Sequence, residues 1–280
     1  MKLLRQRHPS YLSSFIIASA VILVSLTAYI YWQHSTPTPE VDTQTPTPRQ
    51  AKKPATQAPQ TPTVKLPNAQ PIALRADDYK NDDGVWKIVN KQRGFSEATY
   101  VPADLQLVTT PTMPGRGQDE RSLRAVLMND LEAMAKSAAA AGVQLQVGSG
   151  YRSYTTQQAL FARYSQEYGE AMASQFSSRP GHSEHQSGLA ADFIGAGGKC
   201  WVEECFERTA AGHWLAQHAH EYGFILRYPK GKESVTGFQY EPWHFRYVGK
   251  ELAGALQQSG LTLEEAQPYI EQALSSEKSS

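Results

Sequence analysis

An α+β fold is predicted for the body of this chain, on two observations. Helical and strand periodicities are interspersed from about residue 71 onward, and they never settle into the regular βαβ rhythm of a doubly wound sheet. A third observation sets what precedes that body: an uncharged apolar run, then a stretch too polar to fold.

Lys2, Arg5 and Arg7 precede the run, which extends from Tyr11 to Trp32 without a charged residue. That length can cross a bilayer as a helix, and the basic flank orients its N-terminus inward. The exit, Tyr29-Ile30-Tyr31-Trp32, suits a membrane interface and is a poor cleavage site. A transmembrane signal-anchor over 11–32 is therefore expected, with residues 1–10 cytoplasmic and the remainder extracytoplasmic; a cleaved signal peptide is the rival. Residues 33–70 are rich in Pro, Thr and Gln and read as a disordered linker. A globular domain is expected over 71–262, and a polar tail over 263–280.

Within the domain, Val85 to Val89 suggests a short strand. Leu123, Val126, Leu127, Leu131, Met134 and Ala138 recur at helical spacing, predicting a helix over 121–141 that stops at Gly142. Val143, Leu145 and Val147 alternate with polar residues as in a half-buried strand, which runs into Gly148-Ser149-Gly150. Ser153 or Thr155 can cap a helix through Tyr168, ended by Gly169. A loop over 177–188, a short strand over 190–194, and a helix bearing Trp214, Leu215, His218, Ala219 and Tyr222 follow. A strand over 238–248 and a last helix over 250–258 complete the series.

Formal net charge is +0, so no nucleic-acid footprint is indicated, and a monomer is expected. The two cysteines, Cys200 and Cys205, most simply form a disulfide outside the cytoplasm. Ser275 to Lys278 matches Ser-x-x-Lys, but in a polar stretch without the companion motifs of a serine peptidase.

The chemistry-bearing segments are Ser183-Glu184-His185-Gln186-Ser187-Gly188-Leu189-Ala190-Ala191-Asp192 and Glu241-Pro242-Trp243-His244. Imidazoles plus a carboxylate can hold zinc with one position open, and a further carboxylate can take a proton from water. Of eight histidines, His8 and His34 flank the anchor, His213 and His220 fall on a polar helix face, and His218 falls on the apolar one. His182, His185 and His244 remain. A kink at Pro242-Trp243 would turn Glu241 and His244 toward a common point, which a regular strand would not.

At these residues the chain resembles the VanY-type D-alanyl-D-alanine carboxypeptidases, zinc peptidases of the LAS group (peptidase family M15). The resemblance runs from Asn90-Lys91 and Tyr100-Val-Pro-Ala-Asp104-Leu105 through Ser149-Gly-Tyr-Arg152-Ser-Tyr-Thr-Thr-Gln157 and Pro180-Gly-His182 with the segments above. It continues through Tyr222-Gly-Phe-Ile-Leu-Arg-Tyr228-Pro-Lys-Gly-Lys-Glu233 to Tyr240-Glu-Pro-Trp-His-Phe-Arg-Tyr-Val-Gly249. It implies a compact LAS/hedgehog-like domain with a small antiparallel sheet flanked by helices. It implies one Zn2+ held by His185, Asp192 and His244, with Glu241 as catalytic base. It implies Arg152, Gln157 and Ser183 at the substrate, a peptidoglycan stem peptide ending in D-Ala-D-Ala. An arginine's planar guanidinium suits a free C-terminal carboxylate.

Overall fold

The computed structural model describes residues 62–277. The anchor expected over 11–32 and most of the linker lie outside the described residues. Among the described residues, no helix is long and apolar enough to cross a membrane.

The described chain opens with a two-stranded ribbon, β1 (Thr63–Val64) and β2 (Ile72–Ala73), and a short helix α1 (Ala76–Lys80). The linker therefore ends earlier than expected. Val64 and Leu66 are buried in the main core, an alternating apolar pair that the surrounding Pro and Thr disguise. Next come β3 (Leu105–Leu107), β4 (Ser122–Arg124), α2 (Met128–Ala140), β5 (Leu145–Ser149), α3 (Tyr154–Tyr168) and α4 (Glu170–Phe176). After β6 (Ala190–Gly195) come α5 (Ala210–His218), β7 (Phe224–Leu226), α6 (Glu233–Thr236), β8 (His244–Tyr247), α7 (Lys250–Ser259) and α8 (Leu263–Glu277).

The mixed architecture agrees with the α+β expectation. Its centre is a four-stranded antiparallel sheet in the order β5-β6-β8-β7. Phe193, Phe224 and Phe245 pack edge to face within the core. The α3 helix starts and stops where the sequence indicated: the Ser153 hydroxyl accepts from Thr156 N–H, and Gly169 caps the end at φ 80°.

Five further expectations are corrected. The segment 85–89 is not a strand; Val85 and Trp86 are buried in a turn and Ile88 and Val89 in irregular chain, and Trp86 is pinned by its indole N–H donating to Val248 O (3.0 Å). The helix expected over 121–141 begins only at Met128, because the backbone of 122–124 is paired with 105–107 instead. The strand expected over 238–248 is confined to 244–247; Pro242 lies in the turn before it. His218 is half-exposed and bonded to Glu221 (2.9 Å) rather than buried in the core.

The fifth correction is the largest: 263–277 is no polar tail but the amphipathic helix α8. Leu263, Ala266, Ile270 and Leu274 form one buried stripe. Its start is a reciprocal cap, with Glu265 Oε2 accepting from Thr262 N–H (2.9 Å) and Thr262 Oγ1 from Glu265 N–H (3.2 Å).

Candidate metal centre and substrate cleft

Strand register builds the site. Asp192 on β6 and His244 on β8 are direct cross-strand partners, so their side chains leave the same face of the sheet. Ser149, at the end of β5, is the partner of Asp192 on its other side, past an irregularity in pairing. His185 arrives from a single helical turn, 184–187, that Gly188 closes in the left-handed conformation (φ 66°). A Cβ there would lie 2.9 Å from both the Arg124 and Leu105 side chains, so only glycine fits. Glu241 reaches the same point through the turn expected at Pro242-Trp243, with His244 N–H donating to Glu241 O (3.1 Å).

His185 Nε2 lies 3.3 Å from Asp192 Oδ2, and His244 Nδ1 lies 3.0 Å from Asp192 Oδ1. Donor atoms of all three residues fall within 4.8 Å of one another. Tetrahedral zinc bonds of 2.0–2.1 Å would put ligand atoms about 3.3 Å apart, so this donor set fits that ion. The remaining nitrogens fix which atom faces inward. His185 Nδ1 contacts Gly150 O (2.7 Å), leaving Nε2 for the centre, and His244 Nε2 faces Glu184 Oε2 (3.4 Å), leaving Nδ1. Glu241 Oε2 lies 4.0 Å from His244 Nδ1, beside the three donors.

The electrostatics separate the carboxylates. Burial works against the Asp192 charge, yet the two imidazoles outweigh it and hold this carboxyl well below the usual range. Burial pushes Glu241 up to about 8, with Asp192 and Glu184 adding to it against His244 and Arg152. Burial also opposes charge on His244, but hydrogen bonds to Asp192 and Glu184 raise it to about 9. The His185 imidazole is lowered, burial outweighing Asp192.

These groups floor a cleft of about 390 Å³ whose lining includes Arg152, Ser183, Tyr228 and Trp243. Arg152 is braced rather than neutralised: it donates to Gln157 Oε1 (3.0 Å) and Ser149 Oγ (3.3 Å). Gln157 is buried behind it, its amide N–H groups taken by Ser177 Oγ (3.2 Å) and Ser178 O (2.7 Å). Gln157 thus supports the arginine and does not line the cleft. His182 turns away to Asn90 O (2.9 Å) and is not among the converging donors.

Cys200 and Cys205 are joined as a disulfide. The small ring they close sends Val202 to the cleft and lays Trp201 over Gly148, where any Cβ would overlap the indole. The Arg116 guanidinium lies over that indole, 4.8 Å from the ring centroid.

Sequence reasoning missed Glu184. It is fully buried, with Arg227 Nε (2.7 Å) and Arg246 Nη1 (2.8 Å) both on Oε1 while Oε2 faces His244. Its adjacency to His185 was visible, but a partner 60 residues away was not. Tyr228, stacked on the His244 ring at 4.9 Å, also forms part of the cleft.

Comparison with known proteins places this geometry in context. The family model described as VanY, D-alanyl-D-alanine carboxypeptidase, matches residues 120–250. The putative carboxypeptidase YodJ of Bacillus subtilis is 39% identical over 189 residues, 68% of this chain and 69% of that protein. The solved LdcB LD-carboxypeptidase has a TM-score of 0.64 and 38% identity, covering 68% of this chain and 88% of the other. A vancomycin-resistance D,D-pentapeptidase VanY, solved in complex with Zn(II), has a TM-score of 0.55 and 31% identity, covering 65% and 98%.

Proposed function

This chain belongs to the VanY carboxypeptidase family, is a zinc-dependent carboxypeptidase, and, we propose, hydrolyses the terminal D-Ala-D-Ala bond of peptidoglycan stem peptides. The observation that carries the reading is the convergence of His185, Asp192 and His244 on one buried point, with Glu241 beside it and Arg152 lining the same cleft.

His185 Nε2, Asp192 and His244 Nδ1 would hold the ion. Zinc there supplies Lewis acidity and makes water acidic enough to act near neutral pH. The chain's own residues do the rest. Glu241 takes the proton of the attacking water and delivers it to the departing amine. Arg152 receives the peptide's terminal carboxylate, held rigidly by Gln157 and Ser149. Ser183 lines the same cleft and offers a hydroxyl to the peptide end. Gly150 and Glu184 keep the two imidazoles in the required tautomers.

A second reading is L,D-carboxypeptidase action on tetrapeptides, favoured by the higher TM-score and identity with the LdcB enzyme. Defined stem pentapeptide and tetrapeptide, each digested with and without zinc and weighed by mass spectrometry, separate the two. Loss of D-Ala from pentapeptide alone supports the D,D reading, and loss from tetrapeptide alone overturns it.

The domain is further proposed to work outside the cytoplasm as a monomer. Residues 11–32 would anchor it to the membrane, and the Pro/Thr/Gln-rich stretch would tether it. Protease accessibility of the domain in intact spheroplasts tests this topology.

A further inference from the structure

We propose that Glu264, on the C-terminal helix α8, is a positioning residue for the metal centre, acting through Arg227 and Glu184 on His244. The inference rests on the reading that His244 is a ligand, and goes beyond it to a residue outside the segment 120–250 matched by the family model.

The contacts form a continuous chain that runs from the partly buried Glu264 to the fully buried Glu184. Glu264 grips the Arg227 guanidinium edge-on, with Nη1 to Oε2 at 2.7 Å and Nη2 to Oε1 at 2.5 Å. The third nitrogen of Arg227, Nε, donates to Glu184 Oε1 (2.7 Å). Arg246 places Nη1 on the same oxygen (2.8 Å) and gives its other donors to the carbonyls of Val85, Lys87 and Tyr247. Both arginines therefore crowd one oxygen of Glu184, and the other, Oε2, is left to face His244 Nε2 (3.4 Å).

Charge balance makes Glu264 necessary to that division. Two fully buried guanidinium groups face one fully buried carboxylate, Glu184, and one that keeps 12% side-chain exposure, Glu264, so the cluster is neutral as it stands. Without the Glu264 charge, one buried positive charge is uncompensated, and both terminal nitrogens of Arg227 lose their partner. The nearest carboxylate left to them is Glu184, and its Oε2 is the atom they would compete for. His244 would lose the acceptor that fixes its ring and strengthens its Nδ1 as a donor. Asn90 Nδ2, which donates to Glu264 Oε1 (3.1 Å), holds the outer end of the chain.

The test is zinc affinity of metal-stripped full-length protein, read by competition with a chromophoric chelator, alongside its melting temperature. Glu264→Gln, which keeps the shape, should weaken zinc binding roughly tenfold, the lower end for residues behind metal ligands. Glu264→Asp, which keeps the charge but shortens the grip, should fall between it and the wild type. The control is Glu265→Ala on the same turn, which removes the helix cap and the ion pair to Lys232 (2.7 Å). It should lower the melting temperature while leaving zinc affinity within about twofold. Wild-type affinity in both Glu264 variants overturns the inference, as does an equal loss of affinity in Glu265→Ala. Wild-type protein that takes up no zinc sinks the ligand assignment itself, a different failure.

Discussion

Glu241 and Arg152 divide the chemistry between proton transfer and substrate anchoring, and each has its own signature. Glu241→Gln should cut kcat by about 10²–10⁴-fold while zinc content stays stoichiometric, as checked by metal analysis and single-turnover hydrolysis. Arg152→Ala should cost about 1.5–3 kcal/mol of binding to a peptide with a free carboxylate. It should have little effect on a C-terminally amidated peptide, a contrast read from kcat/KM on the two. The His244 imidazolium, held to about 9, carries a proton that competes with a metal for the ring. A raised pKa means stability fully present below the free value of about 6.5 and lost as pH rises through about 9. Metal-stripped protein should therefore melt lower as pH rises across that window, while zinc affinity climbs by up to about tenfold per pH unit. Calorimetry in buffers of different ionisation enthalpy counts the protons released. The histidines and acids of this centre were legible because His185, Asp192, Glu241 and His244 sit in two short, compositionally unusual segments. Glu184 was not, since what matters about it is contact with Arg227, Arg246 and His244, all far along the chain.

At the scale of elements, periodicity served best where a segment is buried on one side only. The α3 helix could be read to within two residues at its start, where Ser153 and Thr155 both offered a cap, and to its glycine stop at the end. The β8 strand could not: the apolar letters from Phe238 onward belong partly to the cleft wall, where Phe238 packs on Tyr228 (4.5 Å), and not to a ladder. The α8 helix was hidden by its Glu, Gln and Ser content, although Thr262-x-x-Glu265 was a capping signature in plain view. Its stripe is structurally essential. Ile270→Ala should destabilise the protein by about 2–4 kcal/mol, measured by chemical denaturation, since the Ile270 side chain has no solvent exposure.

For the whole molecule, fold and metal centre are thermodynamically linked, because donors from β6, β8 and the turn before β6 meet only when the sheet is assembled. Zinc at one hundred times its dissociation constant should add about 2.7 kcal/mol of stability. Chelation should lower the melting temperature accordingly and abolish hydrolysis, with zinc restoring both. The sulfur-closed ring at 200–205 stands apart from this linkage. It braces Trp201 against the outermost strand on one side and offers Val202 to the incoming peptide on the other. Selection can therefore reshape the entrance by exchanging a few letters inside that ring, retuning which peptides are admitted while the catalytic floor stays untouched.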